Sequence, residues 1–284
     1  MASTNTRQRI PNRIQSHNQP RIVSLAPSAT SILVAIGARK LLVGVSKWCP
    51  DVAPEVAELP RVGDCWSLDP ESVVSLKPTL VIGSVPYKQE TVAKLLEYPL
   101  TFLAMNPRSL ADVEADINLL GAIAGRSAAA RKLVATMRAE YSAIRKQASR
   151  ALRSANGKRP RVYCEAWPHP RIASPPWVAE LVEIAGGTMA VPAGKRVSDA
   201  QVAEAHPEVI ILAWAASGGK SDPQQALDVA AWQNVPAIHN RRVFTISDEL
   251  LNTPGPPLVA GAREIFRLIH PPAPPPPRSK RKRQ

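Results

Sequence analysis

The feature that most limits how this chain can fold is a helical pattern between residues 127 and 152. Val134, Met137, Tyr141, Ile144 and Ala148 recur at spacings of three and four, one apolar stripe on an otherwise basic surface. At 1.5 Å per residue, about 26 residues reach roughly 39 Å, the width of a domain. Ser154-Ala155-Asn156-Gly157 ends the pattern. Such a helix needs a partner along its whole length, and 284 residues are enough for a domain on either side of it.

Both flanks alternate strand and helix signals. Before the long helix, short apolar runs at 22–25, 43–46, 80–84 and 100–105 read as strands. Between them lie a helical pattern at 30–36 that stops at Gly37, a helix start at Asp69-Pro70-Glu71, and a capping-box pattern from Ser109 to Asp112. The last of these opens a helix ending near Gly125. After it, 161–166, 209–214 and 242–247 read as strands. Residues 177–185 and 258–269 read as helices, the first closed by Gly186-Gly187. Alternation of this kind predicts mostly parallel sheets. The expected fold class is α/β, with two Rossmann-like lobes joined by a single long backbone helix. The expected divisions are a disordered N-terminal arm at 1–20, an N-terminal lobe at 21–126, the linking helix at 127–156, a C-terminal lobe at 157–270 and a disordered proline-rich basic tail at 271–284.

Composition removes several classes of function. The longest apolar run, 209–216, is far short of the ~20 residues of a spanning helix. The formal charge of +13 is carried by the first 21 residues, by the last seven, and by 138–161, where eight basic residues face one acid, Glu140. The rest is close to neutral, so a nucleic-acid partner is not expected. Cys49, Cys65 and Cys164 are odd in number and form no CxxC. They predict neither a disulfide framework nor a zinc site, and leave a Cys49–Cys65 bond as an open pairing. The chain has no GxGxxG, HExxH or GxSxG. Gly219-Lys220-Ser221 follows a strand, but Trp214 stands where a phosphate loop needs its first glycine. The five histidines are scattered without metal-ligand spacing.

Tryptophan is more informative. Six of the thirteen aromatic residues are Trp, and four of them sit where loops leave strands: Trp48, Trp66, Trp167 and Trp214. In open α/β sheets the ligand crevice lies beyond the carboxyl ends of the strands, and indole faces there suit a large, partly apolar ligand. The competing reading is ordinary core, which is favoured for Trp232.

The segments RIVSLAPSATSILVAIGA, LLVGVSKWCPDVAPEVAELPRVGD, LDPESVVSLKPTLVIGS, WVAELVEIAGG, VSDAQVAEAHPEVIIL and WQNVPAIHNRRVFTI occur in that order over about residues 21–270. In this the chain resembles the cobalamin-type substrate-binding proteins of ABC importers, within the iron-siderophore, haem and vitamin B12 superfamily. The resemblance implies a corrinoid clamped in a cleft between the lobes, with no covalent cofactor, no metal and no catalytic residue. Pro27 and Ser28 would line the cleft at the first strand's exit. Trp48 would flank the corrin and Trp167 would face it, with Asp248 nearby; Tyr87 would substitute for an aromatic residue that Ser84 replaces. Glu71 would dock on the importer permease. The matching acid of the second lobe falls at Ala200, with Asp199 adjacent and Glu204 one turn on, and the expected cleft arginine falls on Pro257. The alternatives carried forward are a siderophore or haem binder and, more remotely, an enzyme on a chelatase-like two-lobe scaffold, which would show cluster-ligating cysteines or a cleft His/Glu pair. A monomer is expected. The family works outside the inner membrane, while the first 20 residues lack the apolar core of a signal peptide, so periplasm and cytoplasm both stay open.

Overall fold

The computed structural model describes residues 19–215 and 221–271. The arm through residue 18, Gly219-Lys220 and the tail beyond residue 271 lie outside them, as do the expectations attached to those segments.

The N-terminal lobe is one parallel sheet of four strands, β1 (Ile22–Ser24), β2 (Leu42–Val45), β3 (Leu80–Ser84) and β4 (Phe102–Met105), in the order β2-β1-β3-β4. Every residue of β1 is buried, because helices cover both sheet faces and leave no solvated side to demand alternation. The helices are α1 (Pro27–Ala35), α2 (Cys49–Val52), α3 (Pro70–Ser75), α4 (Gln89–Leu96) and α5 (Leu110–Ile123). Asp69 caps α3 by accepting from the amides of Glu71 and Ser72, and Ser109 caps α5 by accepting from Asp112. The expected box at Ser109 is incomplete: the Asp112 carboxylate accepts instead from the Arg108 amide, at 2.8 Å. Helix α4 escaped the sequence reading because it is short, only half apolar, and fully buries only Leu95.

The long helix α6 (Ser127–Ser154) buries Val134, Met137, Tyr141, Ile144 and Ala148, the stripe read from the sequence, together with Ala130. It packs on α5 from the first lobe and on α7 (Pro176–Ile184) and α12 (Leu258–Ile269) from the second.

The C-terminal lobe holds β5 (Arg161–Pro168), β6 (Arg171–Ala173), β7 (Thr188–Met189), β8 (Val209–Leu212) and β9 (Val243–Thr245), with the order β6-β5-β8-β9 and β7 beside the start of β5. All pairings are parallel except β5–β6, an antiparallel hairpin. Its other helices are α8 (Asp199–Glu204), α9 (Pro223–Leu227), α10 (Pro236–His239) and α11 (Glu249–Asn252). Helices α11 and α12 approach so closely that a Cβ on Gly261 would lie 2.2 Å from the Leu250 carbonyl oxygen; only glycine fits there. One continuous apolar core runs from Ile32 and Leu33 of the first lobe through Ile117, Met137 and Tyr141 to Val178 and Ile265 of the second. The lobes are therefore fused at their base as well as bridged.

Candidate ligand-binding cleft

The carboxyl ends of the two sheets meet at the boundary between the lobes. Helix α1 starts three residues beyond β1, and Gly255, in the segment after β9, lies against it. A Cβ on Gly255 would stand 3.0 Å from Ser31 Oγ and 3.5 Å from Ile32 Cγ1. On the other flank, the Leu110 amide at the start of α5, beyond β4, donates to Glu180 Oε1 of α7 at 2.9 Å. A carboxylate at a helix N-terminus satisfies an orphan donor and the helix dipole together, so this contact ties one lobe to the other at the crevice edge.

The first lobe's wall is organised by Asp64, which the sequence reading did not single out. Its Oδ2 accepts from Trp48 Nε1 at 3.0 Å, and its Oδ1 accepts from the amides of Trp66 and Ser67 at 2.9 and 2.8 Å. The second pair of bonds is an Asx turn, for which Gly63-Asp64 is the sequence signal. One carboxylate thus fixes the Trp48 indole and the backbone turn that carries Trp66. Trp48 is half-buried with Lys47 Nζ 4.5 Å from its ring centre, while Trp66 is 58% exposed. Ser28 is buried in the first turn of α1, beside half-buried Pro27. Tyr87 donates to the Met105 carbonyl oxygen at 2.8 Å and packs edge-on against Phe102. Burial, with the nearby Cys65 thiol, pushes its pKa up, so it stays neutral.

Asp116 of α5 is among the groups close to Tyr87 and has one carboxylate oxygen buried without a hydrogen bond. Burial, with the Asp112 charge adding to it, pushes its pKa above the ordinary carboxylate range, up to about 6. The folded state therefore favours the protonated acid. The associated stability is full below about pH 4 and is lost as pH rises through 6. A displacement of this size corresponds to ~3 kcal/mol, which partial solvent screening reduces to ~1–2. Asp116→Asn is expected to stabilise the protein by that amount at pH 7 and to leave it unchanged at pH 4. Urea unfolding at the two pH values checks this, and an equal effect at both would exclude a titrating Asp116.

The second lobe's wall is the β5–β6 hairpin, which holds Trp167 between Glu165 and Arg171. Glu165 is fully buried. Its Oε2 accepts from Tyr163 Oη at 2.7 Å and pairs with Arg171 Nη1 at 2.9 Å, and its Oε1 accepts from Trp214 Nε1 at 2.8 Å. Arg171 also pairs with Asp199 and lies over the Trp232 ring, 4.3 Å from its centre. Burial alone would lower the Arg171 pKa; the bonds to Asp199 and Glu165 outweigh it and raise it. This network clamps the hairpin, and Trp167 stands out from it 41% exposed, its Nε1 donating to the His169 carbonyl oxygen at 2.8 Å. A concavity of about 630 Å³ lies beside it, lined by residues including His169, Arg171, Arg196 and Asp199.

One expected site residue sits differently from the expectation. Trp214, only 7% exposed, is packed in the second lobe's core and its N–H is committed to Glu165. Asp199 is exposed, with one carboxylate oxygen paired with Arg171. Glu71 and Glu204 are exposed, and Asp248 is half-buried at the start of α11. Trp232 is fully buried, as expected for core. All three cysteines are free and buried, which removes the Cys49–Cys65 bond. Burial pushes the Cys65 and Cys164 thiols up to about 12, leaving them protonated and unreactive.

Two α/β lobes joined by one long connecting helix define a two-lobe solute-binding protein. The chain belongs to the periplasmic binding protein family, whose model matches residues 22–250. It is 27% identical over 262 residues to an uncharacterized ABC transporter substrate-binding lipoprotein, YvrC, of Bacillus subtilis, covering 88% of this chain and 80% of that one. It is 26% identical over 261 residues to the vitamin B12-binding protein of Vibrio cholerae, covering 88% of each. Among solved structures it is similar to the periplasmic heme-binding protein RhuT from Roseiflexus in apo form, with a TM-score of 0.74, 25% identity and coverage of 89% and 98%. It also shares its fold with the vitamin B12-binding protein BtuF of Vibrio cholerae, with a TM-score of 0.69, 24% identity and coverage of 88% and 96%.

Proposed function

We propose that this substrate-binding protein captures a corrinoid between its lobes, as a monomer and without catalysing a reaction, and delivers it to an ABC importer. The observation that carries the reading is the pair of exposed indoles, one in each lobe: Trp66 on the turn that Asp64 anchors before α3, and Trp167 on the β5–β6 hairpin that Glu165 and Arg171 clamp. Indoles held this way offer flat apolar area at little entropic cost on binding. Vitamin B12-binding relatives over nearly the full chain length point to the same ligand. The base shared by the lobes favours a small closing motion over a wide swing. Calorimetry with cyanocobalamin is expected to give one site of about micromolar or tighter affinity. No heat and no spectral change at ~100 μM ligand would reject the corrinoid.

A haem reading is favoured by one feature, the exposed imidazole of His169 at the tip of the hairpin beside Trp167. It requires that hemin develop a shifted Soret band that His169→Ala removes. Cyanocobalamin binding with no hemin band would set it aside.

Glu71, exposed in the first turn of α3, is proposed as the docking acid of the first lobe. With Asp199 occupied by Arg171, the second lobe offers no equivalent at Ala200. Glu71→Ala is expected to leave corrinoid affinity unchanged and to abolish association with an importer in lipid discs, and Ala200→Glu to strengthen it. Association indifferent to both changes would move the docking surface elsewhere.

A further inference from the structure

The solvent face of α6 carries a charge pattern that capture in the cleft does not use. At about 100° per residue, Arg131, Lys132, Arg145, Lys146, Arg150 and Arg153 fall within an arc of roughly 140°, on the side away from the buried stripe. Arg138 shares the arc but is paired with Glu114 of α5. None of the other six forms a salt bridge among the described residues. The positions between them are Ala135, Ala139, Ser142 and Ser149, so neither an acid nor an apolar side chain larger than alanine interrupts the face over about 33 Å. Its C-terminal half forms a shallow groove of about 340 Å³ between Ser142 and Arg153.

The described chain ends near the C-terminal turns of α6, on the side of its buried stripe. His270 and the α6 residues Ala148 and Leu152 all flank Gly186, so Pro271 leaves the fold next to the last turns of α6. Beyond it the sequence carries Arg278, Lys280, Arg281, Lys282 and Arg283 and no acid.

We propose that this face of α6 is an electrostatic landing surface for an anionic phospholipid bilayer. A straight, fixed row of cations matches a flat sheet of diffuse negative charge, and each basic residue brought to such a surface adds roughly fivefold to binding. The face has no aromatic ring on which a base could stack and no side-chain amide to read one, which disfavours nucleic acid. Lacking apolar anchors, it sits at headgroup level and does not insert. Membership of a family with ABC-transporter relatives puts the chain's work at a membrane. The inference does not depend on which ligand the cleft takes.

The test is sedimentation of the full chain with vesicles of about 30% phosphatidylglycerol in phosphatidylcholine, against pure phosphatidylcholine. The expected result is binding to the anionic vesicles alone, lost between about 50 and 300 mM salt. Changing Arg145, Lys146, Arg150 and Arg153 to Ala should weaken it on the order of 100-fold or more, with unchanged melting temperature and cyanocobalamin affinity. Three results would overturn the proposal: binding to neutral vesicles as well, binding unaffected by the four changes but abolished when the five tail cations become Ser, or duplex DNA displacing the vesicles at equal phosphate.

Discussion

Glu165→Ala is expected to lower the melting temperature by on the order of 10 °C. The substitution leaves three buried donors, on Tyr163, Trp214 and Arg171, without their acceptor. Breaking a buried charge pair from one side costs ~3–5 kcal/mol, because the remaining charge stays desolvated. For a chain of this size each kcal/mol moves the midpoint by ~2–4 °C. Asp199 still contacts Arg171, which places the effect at the lower end of that range. Glu165→Gln keeps the shape and one acceptor and should fall between the two. Because the pair clamps the hairpin that presents Trp167, the alanine variant should also bind ligand more weakly while still folded. Thermal unfolding followed by far-UV circular dichroism decides the matter: a loss under 1 kcal/mol would mean that water or another acceptor replaces the carboxylate.

The second large effect is on binding. Trp66→Ala and Trp167→Ala should each weaken cyanocobalamin binding by ~1–3 kcal/mol, about five- to more than a hundredfold, and the double variant should bind too weakly to measure at ~100 μM. Both side chains are largely outside the core, so melting temperature should hold within a degree or two. Trp214→Phe supplies the contrast: it keeps the ring in the core but deletes the donor to Glu165, so stability should fall while binding is spared. If instead the Trp66 and Trp167 variants unfold and their folded remainder binds normally, the indoles are structural and the cleft assignment fails.

The long helix was legible because a single stripe of apolar residues at helical spacing has one reading over seven turns, and its ends differ from the reading by no more than two residues. The parallel strands were legible as short apolar runs between helix signals. The β5–β6 hairpin was not, since Pro168 and Pro170 mask a three-residue strand whose partner is set by tertiary pairing. Site residues divided along the same line. Local sequence marks Trp66, in the turn before α3, and Trp167, next to last in β5. Trp214 has the same sequence context, yet it turns inward, because Glu165 two strand positions beyond Tyr163 offers the acceptor that its buried N–H requires. Asp199 stays exposed while one of its carboxylate oxygens pairs with Arg171, 28 residues earlier in the chain, a contact that no local pattern announces.

The chain passes from one lobe to the other once, along α6. Each wall of the cleft is therefore encoded by an uninterrupted stretch of gene, and a recombination event anywhere in the codons for Ser127–Ser154 exchanges one wall whole while cutting neither sheet. What such a hybrid must keep in register is small: the Glu180 carboxylate against the first turn of α5, the bare backbone of Gly255 against α1, and the apolar stripe of the helix itself. New ligand specificities can thus arise by pairing existing halves, with selection acting first on those three joints.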